Sequence, residues 1–183
     1  MLKEIRIHGR GGQGVVTAAE LLAIAAFEDG KYSQAFPFFG SERMGSPVTS
    51  FARISDEPIA IKAQITSPDY IIVQDPTVIG VVDVFSGLKE GGLVIINHDG
   101  VPEGLDVPKN VTVKAVDATN IALEIIGRPI PNTIMLGAFA GATGEISLEG
   151  VKKSIYDKFK GEIAEKNIKA LEKAYNLMKG AKV

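Results

Sequence analysis

The most informative absence in this 183-residue sequence is cysteine, because the chain contains none. Without thiols, it can form no disulfide, thiolate nucleophile, thiolate zinc site or cysteine-ligated iron–sulfur cluster. Histidine is almost as scarce: only His8 and His98 are present, which excludes a histidine-rich metal site. The sequence therefore predicts that this chain alone holds no iron–sulfur cluster and no thiolate-bound or histidine-rich metal site.

An excess of charge of one sign is also missing. The chain has 20 lysines and arginines against 22 acidic residues, for a formal net charge of −2. It therefore has no basic surplus with which to neutralise a nucleic-acid backbone. The nearly uncharged stretches are too short or too rich in glycine to span a bilayer, and the N-terminus has no apolar signal core. We therefore expect a cytoplasmic protein that binds neither nucleic acid nor membrane.

The order of apolar patterns predicts an α/β fold. Strands are predicted over residues 1–8, 32–36, 48–54, 59–62, 70–73, 93–96 and 111–116, and helices over 15–27, 77–88, 119–127, 132–142, 148–159 and 162–178. Residues 48–54 and 59–62 are expected to pair as a β-hairpin, which requires a mixed sheet. We expect a single domain over 1–183: a three-layer sandwich with a mixed, mostly parallel sheet, a Rossmann-like first unit and a helical C-terminal third.

A glycine-rich turn between the first predicted strand and helix is the clearest motif. This glycine turn fits G-x-G-x-x-G and consists of Gly9, Arg10, Gly11, Gly12, Gln13 and Gly14. Glycines bring backbone N–H groups close to an anion at the positive end of a helix, and Arg10 adds a charged donor. The glycine turn is therefore a candidate anion or phosphate site, and the alternative is a tight turn without a ligand.

A dinucleotide site needs further features that the sequence does not supply. The acidic residue that binds ribose is expected about 20 residues after the glycines. Gln34 stands there, with no carboxylate in the same strand. The first strand also carries Glu4, Arg6 and His8 on one face, whereas a central parallel strand is apolar on both faces. NAD or FAD binding is therefore the weaker interpretation, and His8 is predicted to be structural rather than a general base.

The second candidate segment is an aromatic–arginine loop over residues 36–47. It places three phenylalanines close to Ser41, Glu42, Arg43 and Gly45. A loop that is both apolar and charged suits docking against another surface, with Arg43 as a bidentate donor to a carboxylate or phosphate. The alternative is a loop folded over its own core, with its charges in solvent.

The remaining polar and small residues favour structural roles. Gly137 and Gly141 are spaced for close helix packing in the core. Asp75 and Asp99 follow predicted strands, where each is expected to cap a turn. No catalytic triad, nucleophile elbow or carboxylate pair can be assembled from these residues, so no self-sufficient active site is predicted.

Three stretches of the chain carry a family resemblance that extends essentially from end to end. Residues 10–16, 39–48 and 132–138 resemble signatures of the γ subunits of 2-oxoacid:ferredoxin oxidoreductases, above all those of the pyruvate-specific enzymes. The resemblance implies a subunit, inactive alone, of an enzyme that converts pyruvate, coenzyme A and oxidised ferredoxin to acetyl-CoA, carbon dioxide and reduced ferredoxin. Oxidoreductases for 2-ketoisovalerate, 2-oxoglutarate or indolepyruvate share this domain, so they remain alternatives.

The resemblance also implies how cofactors and contacts are distributed among the subunits of a heterotetramer. Thiamine diphosphate, with Mg²⁺, would be bound by the α and β subunits, and iron–sulfur clusters by β and δ, so the resemblance implies that this chain alone binds no cofactor. The γ chain would hold partner subunits and complete the coenzyme A side of a shared site through residues 10–14 and 41–45. Two further alternatives are a stand-alone nucleotide-binding oxidoreductase and an assembly module that binds no ligand.

Overall fold

The computed structural model describes residues 1–38 and 43–180. Within these ranges the strands are β1 Lys3–Arg10, β2 Tyr32–Pro37, β3 Pro47–Ser55, β4 Tyr70–Val73, β5 Leu93–Asn97 and β6 Thr112–Val116. The α-helices of the same ranges are α1 Val15–Glu28, α2 Ala118–Ile125, α3 Asn132–Thr143, α4 Leu148–Lys158 and α5 Gly161–Met178. Most predicted elements are present, with ends that agree to within two residues.

These strands form one mixed sheet in the order β2-β3-β1-β4-β5-β6. Strand β3 runs antiparallel to both β1 and β2, whereas β1, β4, β5 and β6 are parallel to one another. The prediction of a mixed, mostly parallel sheet is confirmed. Because the parallel strands end together and β3 begins beside the end of β1, their connecting segments meet at one side of the sheet, which we call the carboxyl edge.

The two faces of the sheet are covered differently. Alternate strand residues such as Ile72 and Ile95 are buried against a layer that contains α1 to α5. Their neighbours Ile71 and Val94 face the opposite way and pack against apolar residues of the segment 78–88. The period of two along each strand therefore creates two cores, and the three-layer α/β architecture with a helical C-terminal region is confirmed.

The predicted crossover helix over residues 77–88 is wrong. A 3₁₀ turn at Pro76–Val78 is followed by irregular turns, in which Ile79 N–H donates to the carbonyl of Pro76 and Val81 N–H to that of Val78. This segment is rich in β-branched residues and is interrupted by glycines, which lowers its helix propensity. Its apolar side chains are buried by sheet contacts that do not require a helix.

The predicted hairpin between 48–54 and 59–62 has the wrong partner. Both edges of β3 are occupied by β1 and β2, so residues 59–62 have no free strand edge to join. Their carbonyls bond to side chains instead: Gln34 donates to Ile59 O at 3.1 Å and Arg53 to Ile61 O at 3.4 Å. Strand β3 is antiparallel to its neighbours, but these are the preceding strand β2 and the more distant β1 rather than residues 59–62.

The apolar stripe of α5 faces the core except at its start. Ile168, Leu171 and Met178 are buried, whereas Ile163 is 60% exposed. Ile163 lies in the first turn of the helix, where it lines a surface cleft rather than the core.

Candidate functional site

The carboxyl edge brings the glycine turn and the aromatic–arginine loop into contact. The turn follows β1 and the loop leads into β3, where Pro47 pairs with Arg10. Gly11 N–H donates to the carbonyl of Ser46 at 2.9 Å, and Gly45 N–H donates to the carbonyl of Gly11 at 3.1 Å. Two segments that are distant in sequence therefore form one hydrogen-bonded unit.

The guanidinium of Arg10 holds this unit to the segment after β4. Its Nε donates to Thr77 Oγ1 at 2.7 Å, and its terminal nitrogens donate to the carbonyls of Gly45 at 2.9 Å and Thr77 at 3.2 Å. Asp75 Oδ2 lies 3.8 Å from the same Nε. Arg10 therefore has a positioning role within the chain, and its contact with a ligand stays a prediction.

The side chain of Gln13 closes the glycine turn. Its Oε1 accepts from Arg10 N–H at 2.8 Å, and its Nε2 donates to Asp75 Oδ2 at 2.7 Å. Asp75 also accepts from Thr77 N–H at 2.9 Å and caps the 3₁₀ turn, as predicted. Burial acts to raise the pKa of Asp75, but hydrogen bonds from Thr77 and Gln13 outweigh it and hold the pKa below its usual value.

Two glycines are required here because other chain segments approach so closely. A Cβ atom on Gly11 would lie 2.4 Å from the carbonyl oxygen of Arg43. A Cβ on Gly14 would lie 2.4 Å from Asn132 Nδ2, and Gly14 also has a positive φ of 72°. The glycine pattern therefore serves packing between segments as well as exposure of the backbone.

Helix α1 starts at the glycine turn without a side-chain cap. The first intrahelical bond is from Ala18 N–H to Gly14 O, so the N–H groups of residues 15–17 have no partner within the helix. Beside them is a cleft of about 590 Å³ to which Gly12, Gly14 and Thr17 contribute. The same cleft contains three basic side chains, Arg128, Lys158 and Lys166, and one carboxylate, Glu162. Lys166 pairs with Glu162 at 2.6 Å and Lys158 with Glu20 at 2.9 Å. The helix dipole and the remaining positive charge, above all that of Arg128, favour an anionic group in this cationic cleft.

Sequence reasoning missed these three cations. They come from the α2–α3 connection, from α4 and from α5. In the sequence each belongs to an ordinary charged surface pattern, so only the packing of α4 and α5 beside α1 reveals them as a group.

Arg6 and His8 of β1 form a buried polar pair, with 8% and 5% of their surfaces exposed. Arg6 Nε donates to His8 Nε2 at 3.0 Å, and the other end of the Arg6 guanidinium donates to the carbonyls of Val84 and Ser86. Burial, and then the charge of Arg6, lower the pKa of His8 to about 3. The imidazole is therefore neutral and engaged, which agrees with its predicted structural role.

The aromatic–arginine loop is described only in part, because Ser41 and Glu42 lie outside the described residues. Arg43 is exposed, and its side chain has no hydrogen bond or ion pair within the described ranges. Met44 is 86% exposed and Phe38 is 44% exposed. The described part of the loop thus presents apolar surface and one available cation beside the glycine turn.

Two other features are absent from residues 1–38 and 43–180. No helix in these ranges combines the length and the apolar character that crossing a membrane requires. The same residues include no cluster of three or more histidine, aspartate or glutamate side chains able to hold a metal ion.

Close relatives are similar to the chain over almost its whole length. It is 57% identical over 176 residues to pyruvate synthase subunit PorC of Methanothermobacter marburgensis, covering 96% of this chain and 97% of that protein. It is also 57% identical over 176 residues to the pyruvate/ketoisovalerate oxidoreductases common subunit gamma of Thermococcus kodakarensis, with 94% and 95% covered.

The fold and a family model agree with these relatives. The crystal structure of pyruvate oxidoreductase subunit PORC from Thermotoga maritima matches with a TM-score of 0.85 and 40% identity, covering 96% of each chain. The model of the family described as pyruvate ferredoxin/flavodoxin oxidoreductase matches residues 4–177. The chain therefore belongs to the pyruvate ferredoxin/flavodoxin oxidoreductase family.

Proposed function

We propose that this chain is the γ subunit of a multisubunit pyruvate:ferredoxin oxidoreductase. The observation that supports this most directly is the 57% identity to a pyruvate synthase subunit across 96% of the chain. The chemistry of the chain fits a subunit without a reacting cofactor, because it contains no cysteine to ligate a cluster. Thiamine diphosphate with Mg²⁺ and the iron–sulfur clusters would be held by α, β and δ subunits, which pass electrons to ferredoxin.

The contribution of this chain would be to complete the coenzyme A side of a shared site. The uncapped start of α1 and the cationic cleft beside it suit the phosphates of coenzyme A. Arg43 supplies a further cation beside the glycine turn, and its exposed side chain is available to contact a ligand or a partner subunit. We also propose that residues 1–183 act as one domain in a cytoplasmic heterotetramer.

The first test is reconstitution. Pyruvate-dependent reduction of ferredoxin is measured for the chain alone and for the chain co-purified with its partner subunits. We expect turnover only from the assembly, because the chain carries no catalytic set. Robust turnover by the isolated chain, or micromolar binding of NADH to it, would favour a stand-alone nucleotide-binding oxidoreductase.

Replacement of Arg43 tests the site. Within the assembled enzyme, Arg43→Ala is expected to raise the KM for coenzyme A by roughly ten- to a hundredfold, since a charged hydrogen bond to phosphate contributes about 1.5–3 kcal/mol. Subunit assembly should be unchanged. Lys109→Ala, at another exposed cation, is the matched control. An unchanged KM for coenzyme A would indicate that the loop serves assembly alone.

A second candidate function is a γ subunit shared by two oxidoreductases. It is supported by the 57% identity to the common gamma subunit of the Thermococcus kodakarensis pyruvate and ketoisovalerate enzymes. Affinity purification of the chain from its source cells, followed by assays with pyruvate and 2-ketoisovalerate, separates the two cases. Two sets of partner subunits and both activities are expected only of a shared subunit.

A further inference from the structure

A pocket of about 330 Å³ lies on the face of the sheet opposite the helical layer. In β1, Ile5 and Ile7 face the helical layer, so Arg6 and His8 face the other way, and both line this pocket. Side chains of β3 and of the segments that follow β2, β3 and β4 complete the lining. The volume of this Arg6 pocket falls in the usual range for small-ligand sites.

The guanidinium of Arg6 has most, but not all, of its donors in use. Its side chain is buried, with 8% of the residue exposed. Nε donates to His8 Nε2 at 3.0 Å, and Nη2 donates to the carbonyls of Val84 at 2.9 Å and Ser86 at 2.6 Å. The other terminal nitrogen, Nη1, has no hydrogen bond within the described residues.

Nη1 of Arg6 is open to the pocket rather than sealed inside the protein. Among the described residues, the side-chain polar atoms that are both closed off from solvent and unpaired belong to Gln74 alone. Nη1 of Arg6 is unpaired but is not closed off in this way, so it is accessible from the pocket that Arg6 lines. A ligand in the pocket can therefore accept from Nη1 without breaking a hydrogen bond within the chain.

The charge of Arg6 also has no direct counter-ion. No carboxylate of the described residues forms an ion pair with it, and its acceptors are a neutral imidazole and two carbonyls. Burial lowers the pKa of Arg6, and the charge of Asp83, which acts without direct contact, opposes this effect. Buried charges are normally paired because desolvation is costly, so this guanidinium favours an anion beside it.

The other lining groups define which anion fits. Phe38, Phe51 and Ile65 supply apolar surface, whereas Asp83 contributes a negative charge. Because repulsion from Asp83 grows with the charge of the ligand, a singly charged carboxylate is favoured over a phosphate. The planar carboxylate also matches the geometry of a guanidinium.

We propose that the Arg6 pocket binds a carboxylate, which accepts from Nη1 of Arg6 while the apolar part of the ligand packs against Phe38 and Phe51. The carboxylate belongs either to a small free monocarboxylic acid or to an acidic side chain of a partner subunit. Only the second source rests on the proposed function. The Arg6 pocket and the cationic cleft are on opposite faces of the sheet, so the two sites are separate.

The first test is a titration of the full chain with benzoate at neutral pH. Saturable binding is expected, with a shift of the Arg6 Nε–H signal in ¹H–¹⁵N spectra. Benzamide has the same ring and no charge, and it should bind at least about tenfold more weakly, a difference of about 1.4 kcal/mol. No saturable binding of benzoate at millimolar concentration, or equal binding of benzamide, would overturn the proposal.

Asp83→Asn provides a second test at an exposed position. It removes the like charge from the pocket and should strengthen benzoate binding at least about twofold, with no effect on benzamide. Asp106→Asn is the matched control, because it changes the net charge equally at an exposed residue outside the pocket. Weaker benzoate binding by Asp83→Asn would show that Asp83 holds the ligand rather than repelling it, which contradicts the proposal.

Competition with partner subunits distinguishes the two sources of the carboxylate. If benzoate displaces the partner subunits from the immobilised chain, the pocket receives an acidic side chain of a partner. If both bind together, it receives a small free acid. The benzoate titration uses neither partner subunits nor turnover, so its failure is distinguishable from failure of the proposed function.

Discussion

At the scale of single residues, charged side chains inside this protein are held by specific partners. Arg53 is 1% exposed, donates to Glu4 Oε1 at 2.9 Å and to Ala63 O at 2.7 Å, and lies over the ring of Phe36 at 5.2 Å. It therefore joins β3 to β1, to β2 and to the irregular segment that follows β3. Its removal would leave the part-buried carboxylate of Glu4 with only the longer contact to Lys89, and the carbonyl of Ala63 without its donor.

We predict that Arg53→Met lowers the free energy of unfolding by about 1.5–3 kcal/mol, because it removes a hydrogen-bonded ion pair with a part-buried carboxylate. Urea denaturation of the purified chain measures the change. Lys89→Met is the matched control, since Lys89 is 43% exposed and lies 3.8 Å from the same Glu4 carboxylate. The free energy of unfolding of this control should fall by less than about 1 kcal/mol. Equal losses from the two substitutions would contradict the role given to Arg53.

His8 is predicted to make stability depend on pH. Its pKa is lowered from 6.5 to about 3 in the folded chain, so between these values the unfolded state binds a proton that the folded state does not. The free energy of unfolding should therefore fall as the pH drops through this window, by up to about 1.4 kcal/mol per pH unit, and be fully retained above it.

The measurement compares urea denaturation of the natural chain and of His8→Gln between neutral pH and pH 4. Glutamine can accept the hydrogen bond from Arg6 without titrating, so the variant should lose less stability on acidification. Parallel pH dependence in the two proteins would show that His8 is not the group responsible.

At the scale of secondary-structure elements, α3 and α5 pack with their backbones in close contact. A Cβ atom on Gly137 would lie 2.2 Å from the carbonyl oxygen of Leu171, and one on Gly141 would lie 2.4 Å from that of Tyr175. The predicted role of these glycines in core packing is confirmed. The contact also places the start of α5 beside α1, where Lys166 reaches the cationic cleft.

Gly137→Ala is therefore expected to destabilise the chain by about 1–3 kcal/mol, because the added methyl group forces the two helices apart. Differential scanning calorimetry checks this as a lower Tm. Gly80→Ala is the control, as a Cβ there meets no atom within 4 Å. If both substitutions changed the Tm equally, the close approach of the helices would not be the cause.

At the scale of the whole molecule, the aromatic–arginine loop presents an apolar surface beside the glycine turn. Met44 is 86% exposed and Phe38 is 44% exposed. Both lie beside a segment whose backbone N–H and C=O groups are hydrogen-bonded. Exposed apolar side chains that project from an anchored segment are typical of a subunit contact.

Met44→Glu is expected to weaken binding to partner subunits at least about tenfold, which corresponds to 1.4 kcal/mol, because a charge would be buried at the interface. The affinity is measured by surface plasmon resonance with immobilised partner subunits. Val81→Glu changes a residue that is 61% exposed in the irregular layer and serves as the control. A larger loss of affinity from Val81→Glu than from Met44→Glu would place the interface on the other face of the sheet.

Local sequence patterns account for much of the fold. Strands such as Tyr70–Val73 and Leu93–Asn97 were predictable because short β-branched runs suit strands buried on both faces. The β1–glycine turn–α1 unit was predictable because glycines mark a sharp turn before an apolar helix. The segment 77–88 was not, since its apolar residues have no preference for helix that is independent of the sheet they cover.

The chemistries that this chain lacks and the local elements that it forms can be read from its sequence, because both follow from residue type and short-range periodicity. The absence of cysteine excludes thiolate chemistry however the chain folds. The roles of the polar residues depend on the fold, because their partners are distant in sequence. The fold directs the Arg10 guanidinium to Thr77 and assembles three cations beside α1. It also leaves the Gln74 amide buried without a hydrogen-bond partner at the carboxyl edge.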